Sequence, residues 1–171
     1  MKAHEQFQPV QLTVPDRSLT SERTAEMDQP VGYPTHAPED VPLKNVRANI
    51  VQSIRAYHPD ELMDAAAQLG QHFLYVDLGL AQTKQEVLEM IAAQFGFPPH
   101  FGKNFDALFD CMTDPLHKSG PQPGFIVVLE HIPATPRFDK ETREQLLDIF
   151  RDTADYWAER KVPFRCFYSF P

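Results

Sequence analysis

Residues 125–129 read FIVVL, five apolar side chains in succession with no polar position among them. A strand with one face in water alternates apolar and polar residues. One that is apolar throughout needs cover on both faces, the condition of the central strand of a parallel sheet. Working outward toward the C-terminus, Asp139 or Thr142 opens the longest helix, with Leu146, Leu147, Phe150, Ala154 and Trp157 as its buried stripe. That helix must end before Pro163, which also disfavours a helical Val162. A last β-prone run, FRCFYSF over 164–170, then puts Phe164, Cys166, Tyr168 and Phe170 on one face and Arg165, Phe167 and Ser169 on the other.

Toward the N-terminus, Asn104 is placed to cap a short helix from Phe105 to Met112. Before it, Thr83 with Glu86 three residues on forms a capping-box pattern. Val87, Leu88, Ile91, Ala92 and Phe95 give an amphipathic helix that Gly96 and Pro98-Pro99 stop. Residues 73–78 (FLYVDL) read as a strand. Pro59 sits at a first helical position, with Glu61 in the first turn, Leu62, Met63, Ala66 and Leu69 at helical spacing, and Gly70 as the stop. Ile50, Val51 and Ile54 fit a strand or a short helix equally. Strands separated by helices require right-handed crossovers and a parallel sheet. The expected fold is α/β, with a small three-stranded parallel sheet, and a fourth N-terminal strand if the segment around Ile50 is extended.

Residues 1–44 differ in kind. Pro9, Pro15, Pro30, Pro34, Pro38 and Pro42 stand among polar residues without periodicity, the composition of an extended or disordered arm. Within it Val10, Leu12 and Val14 alternate, leaving open a short pairing strand or partner-binding segment. The expected organisation is an arm over 1–44 and one α/β domain over 45–171 that carries an extra N-terminal helix.

The formal charge of −8 over 171 residues argues against direct nucleic-acid binding, which gains affinity by neutralising phosphates with Lys and Arg, and suits a basic partner. Cys111 and Cys166 lie in apolar runs rather than at metal-ligand spacing, so buried thiols are expected, with no metal or cofactor. No apolar stretch approaches a membrane span, and residues 1–21 lack the apolar core of a signal peptide. A cytoplasmic address is the expectation.

One segment carries functional information: HFGKNFDALFDCMT over 100–113. Phe105, Leu108, Phe109 and Met112, spaced i, i+3, i+4 and i+7, face or border the core, which leaves Asp106 and Asp110 one turn apart on the adjacent face. Like charges so placed cost a helix about 0.2–0.5 kcal/mol. Asp106 recovers part of this from the helix dipole in the first turn, whereas Asp110 near the other end does not. Gly102 offers the loop a positive φ, Asn104 a cap, and Phe109 a core side chain, each a structural role that competes with a functional one.

The run Phe101-Gly102-Lys103-Asn104-Phe105-Asp106-Ala107-Leu108-Phe109-Asp110-Cys111 resembles the signature loop and helix of the barstar family of intracellular ribonuclease inhibitors. The resemblance extends over about residues 73–170. It implies a barstar-like fold, no catalysis, a monomer when free, and a basic ribonuclease or nuclease toxin as protein partner, occluded by the loop and helix. It further implies that Asp110 is the principal mimic of a substrate phosphate and Asp106 its neighbour, with Glu144 of the later helix as an outlying contact. His100, Phe101, Gly102 and Asn104 shape the loop against the partner, and Phe109 and Thr113 stand at the rim. The chemistry is coherent, because a ribonuclease must hold phosphate with cationic groups, and carboxylates accept charge-assisted hydrogen bonds from them. His100 stands where the family pattern has a tyrosine, Lys103 where it has an acid and Phe109 where it has a tryptophan. An altered rim implies an altered partner.

Two rivals remain in view. An acid/base hydrolase would draw on His100, His117 and His131 with Asp106, Asp110 and Glu130, although no catalytic motif accompanies them. A barstar-fold interaction module with a non-ribonuclease partner would instead use the arm and the helix of residues 60–69.

Overall fold

The computed structural model describes residues 43–114 and 122–171. The arm read over 1–44 therefore lies outside the described residues, apart from Leu43 and Lys44, as does most of the proline-rich loop after Asp114. In chain order the elements are β1 (Ile50–Ser53), α1 (Pro59–Leu69), β2 (His72–Asp77), α2 (Lys84–Phe95), α3 (Phe105–Thr113), β3 (Phe125–Glu130), α4 (Lys140–Glu159) and β4 (Phe164–Tyr168). Every strand pair is parallel, and the sheet order is β1-β4-β3-β2.

The segment around Ile50 is thus a strand, and the sheet has four strands. Its local reason lies at its ends. Asn49 and Arg55 both adopt left-handed backbone, with φ of 59° and 48°, which no continuing helix permits. The Asn49 amide donates to the carbonyls of Ala154 (3.0 Å) and Val162 (2.9 Å), fastening the start of β1 to the end of α4. Val51 then stands in register with Cys166 on β4, Cys166 with Val127 on β3, and Val127 with Leu74 on β2.

The two faces of the sheet are covered differently. Phe125, Val127, Leu129, Phe164 and Cys166 face α2, α3 and α4, joined by Leu74 and Val76. Ile126, Val128 and Phe167 face Leu62, Ala65 and Ala66 of α1, with Val46 and Ile54 closing the layer. All five residues of the FIVVL run are consequently buried, as its unbroken apolar character requires. Burying each such side chain contributes roughly 1.5–3 kcal/mol.

The helix boundaries follow the capping chemistry, with one difference. Thr83 Oγ1 accepts from the Glu86 amide at 3.2 Å, but the Glu86 carboxylate accepts from the Gln82 amide at 2.7 Å rather than from Thr83. The reciprocal half of the expected capping box is displaced by one residue. Gly96 ends α2 with φ of 70°, the left-handed geometry that costs glycine least. Asp139 caps α4 by accepting from the Thr142 amide, which also holds its carboxyl below the usual carboxylate range.

Candidate functional site

The loop before α3 is fixed by one side chain. Asn104 Oδ1 accepts from the Ala107 amide at 2.7 Å, satisfying one of the free donors of the first helical turn, while its Nδ2 donates back to the Gly102 carbonyl at 3.0 Å. The left-handed residue in this loop is Lys103, with φ of 47°, so Gly102 does not supply the positive φ expected of it. A Cβ on Gly102 would instead come within 3.3 Å of the Asn104 amide and 3.4 Å of the Ala107 methyl, so glycine here allows close approach to the cap. The Lys103 ammonium lies 3.0 Å from Glu89 on α2, and this pairing turns its charge away from α3. Phe101 is half-buried against Phe97, with ring centroids 5.1 Å apart, whereas His100 and Gly102 are exposed.

On α3 itself Leu108 and Met112 are wholly buried and Phe105 and Phe109 half-buried, while Asp106 and Asp110 are exposed. Among the described residues neither aspartate has an ion-pair partner. Two contacts hold α3 to α4: Phe109 meets Tyr156 edge-on at 6.4 Å, and the indole N–H of Trp157 donates to the Met112 carbonyl at 3.1 Å. Thr113 is largely buried, and its hydroxyl donates to the Phe109 carbonyl at 2.7 Å. It nevertheless borders an open cleft of about 410 Å³ shared by Asp110, Asp114 and Tyr156. Burial, and then the carboxylates of Asp110 and Asp114, push the half-buried Cys111 thiol up, which keeps it a protonated and poor nucleophile.

Glu144 is exposed on α4, but Arg151 lies 3.6 Å from its carboxylate and also bonds Asp148 at 2.8 Å. Sequence reasoning passed over two residues that stand at α3, Asp114 at its C-cap and Tyr156 against Phe109, and a third, Asp152, on the same helix as Tyr156. Asp152 is exposed and precedes Tyr156 by one helical turn, so the two share a side of α4. The i, i+4 spacing of Asp152 and Tyr156 was visible in the sequence. That Tyr156 touches Phe109 was not.

A second polar cluster forms where β2 and β3 end. Asp77, Glu130 and His131 bring ligand atoms within 4.8 Å of one another and are the described residues best placed to hold a metal ion. Protein partners already engage each of them. His131 Nδ1 lies 2.9 Å from Asp77 Oδ1, which also accepts from the Gly79 amide, and the Tyr75 hydroxyl donates to Glu130. The imidazole is therefore committed to Asp77 rather than to either aspartate of α3. Of the other two histidines in the hydrolase alternative, His100 is exposed and His117 lies outside the described residues.

The class is an α/β protein whose four-stranded parallel sheet carries helices on both faces and whose short α3 presents two carboxylates without an ion-pair partner among the described residues. Residues 71–169 match the family model Barstar (barnase inhibitor), and the chain belongs to the barstar family. That family is one of non-enzymatic inhibitors, which bind a ribonuclease such as barnase. No curated protein matches the chain. The matched segment begins after α1, so the strand that covers the edge of β4 and the helix that covers the second face of the sheet lie outside it. Among the described residues no helix is long and apolar enough to cross a membrane.

Proposed function

We propose that this protein inhibits a basic ribonuclease by seating the 100–104 loop and α3 in the enzyme's active site, in the cytoplasm, with carboxylates standing in for substrate phosphates. The observation that carries the reading is the pair Asp106 and Asp110, exposed one turn apart on a capped helix, neither with an ion-pair partner among the described residues. A carboxylate left without a partner in the free protein is available to a partner's Arg, Lys or His, and such charge-assisted hydrogen bonds are the strong ones. Asp110 is the principal contact, because it also opens onto the cleft with Asp114 and Tyr156. Asp106 supports it from the first turn.

His100, exposed at the loop's start, and Phe101, Gly102 and Asn104 form the rim, the last three chiefly by holding its shape. Phe109 contributes its exposed edge. Thr113 contributes through the cleft wall, since its hydroxyl is already engaged. On α4 the reading favours Asp152 with Tyr156 over Glu144, whose carboxylate already faces Arg151. The net charge of −8 supports fast encounter with a basic enzyme.

The test is titration of the purified chain against small basic ribonucleases of the barnase type, following RNA cleavage. The expected result is stoichiometric loss of cleavage for at least one enzyme, with association that slows as salt rises. Full cleavage by every enzyme at saturating protein contradicts the reading.

A further inference from the structure

The face of the sheet opposite α3 carries a groove that the inhibitor reading does not use. Leu62, Ala65 and Ala66 of α1 pack in one buried layer with Ile126 and Val128, and the helix contacts β2 as well as β3 without fully burying the side chains of β2. Along β2, Phe73 and Tyr75 consequently remain half-buried, their rings nearly parallel at 18° with centroids 6.4 Å apart. The groove above them has a volume of about 470 Å³ and is lined by His58, Pro59, Asp60, Met63, Phe73 and Tyr75. Met63 is 47% exposed, so its flexible thioether forms a wall that can adjust.

Carboxylates stand in and beside this groove: Asp60 lines it together with His58, while Glu130 and Asp77 lie beyond Tyr75, Asp77 being paired with His131. Glu130 accepts the Tyr75 hydroxyl, and besides burial the carboxylates of Glu130, Asp77 and Asp60 all act on that phenol to push its pKa up. Among the described residues no lysine or arginine lines the groove. An aromatic floor with a negative face, with the Asp60 carboxylate in its wall and Glu130 at the Tyr75 hydroxyl, attracts a cation and repels an anion.

We propose that the groove between α1 and β2 binds a cationic side chain, an arginine presented by a basic polypeptide. Arginine fits better than lysine because a planar guanidinium can lie over the Phe73–Tyr75 pair while its N–H groups reach Glu130 and Asp60. Its methylene stem packs on Met63. The α1 wall of this site lies outside the matched family segment, while its Phe73–Tyr75 floor lies within it. The site stands independently of the ribonuclease reading.

The test uses the full ¹⁵N-labelled chain titrated with N-acetyl-arginine amide and, separately, with N-acetyl-citrulline amide, which keeps the shape and removes the charge. Saturable shifts are expected at the amides of 60–63 and 73–77 with the arginine compound, and none of that size with citrulline. Asp60→Asn combined with Glu130→Gln, changes that preserve side-chain volume, weakens the arginine response roughly fivefold to tenfold. Asp106→Asn with Asp110→Asn leaves it unchanged. Shifts confined to α3, equal responses to the two compounds, or no response at 60–63 and 73–77 overturn the proposal.

Discussion

The indole N–H of Trp157 donates to the carbonyl of Met112 across 3.1 Å of buried space, joining the last turn of α3 to the last turns of α4. Carbonyls in the final turn of a helix have no partner within it, and a buried one left unpaired is costly. A nine-residue helix is too short to be stable alone, so α3 keeps its shape because the scaffold completes it. Trp157→Phe should keep most of the apolar packing and orphan this carbonyl. The expected loss of stability is about 1–3 kcal/mol by chemical denaturation, with faster amide exchange concentrated at the end of α3. Unchanged exchange there would show that α3 does not depend on the bond.

The other end of α3 depends on Asn104. Removing its side chain in Asn104→Ala frees the Ala107 amide and releases the Gly102 carbonyl, for a loss of about 0.5–2 kcal/mol in thermal or denaturant unfolding. Asn104→Asp retains the acceptor and should recover most of that loss. Equal destabilisation by both variants would assign the cost to the amide's donation to Gly102.

Residues 43–70 are integral to this domain. A chain beginning at residue 71, where the family match starts, uncovers Ile126, Val128 and Phe167 and leaves β4 with an unpaired edge. Exposed apolar edges of that kind pair with other chains. Such a protein should aggregate, while a chain beginning at residue 43 stays folded with cooperative unfolding by circular dichroism. A soluble, cooperatively folded 71–171 would contradict this account of β1 and α1.

The Asp77–His131 pair predicts a defined pH response. The hydrogen bond to Asp77 holds the His131 pKa above its ordinary 6.5, and the same bond holds Asp77 below its ordinary 3.8. The histidine's contribution is whole below pH 6.5 and is lost as pH rises through its raised pKa. The aspartate's is whole above pH 3.8 and is lost as pH falls through its lowered one. The pair is therefore most stabilising between the two, and both side chains are about half exposed, so the effect is small. By NMR titration the His131 ring should have a midpoint above 6.5 that returns toward the ordinary value in Asp77→Asn. A midpoint unmoved by that substitution would contradict the assignment. For thermal measurements His131→Asn is the better variant, because asparagine tolerates the φ of 54° found there.

The order of helices and strands was legible because each boundary carries its own local chemistry: Pro59 and Gly70 around α1, Thr83 and Gly96 around α2, Asn104 before α3. The segment at Ile50 was ambiguous for a physical reason. Four residues carry too little periodicity to separate strand from helix, and what decides between them is long-range, Asn49 bonding to carbonyls more than a hundred positions away. The stripe on α3 was equally legible, since burial of Leu108 and Met112 dictates where Asp106 and Asp110 lie. The loop before it was not, because nothing in a Gly-Lys pair shows that the lysine would take the left-handed position. The engagement of Thr113 was not legible for a similar reason: a threonine at the end of a helix can turn its hydroxyl back onto a carbonyl one turn earlier, which composition does not reveal.

The central claim is that α3 is presented as an anionic decoy, and Asp110 is where it concentrates. With a ribonuclease that the native chain inhibits, calorimetric binding of Asp110→Ala should be weaker by about 2 kcal/mol or more, some thirtyfold, with the melting temperature of the free protein almost unchanged. Undiminished affinity in a folded Asp110→Ala protein would show that the enzyme is held elsewhere.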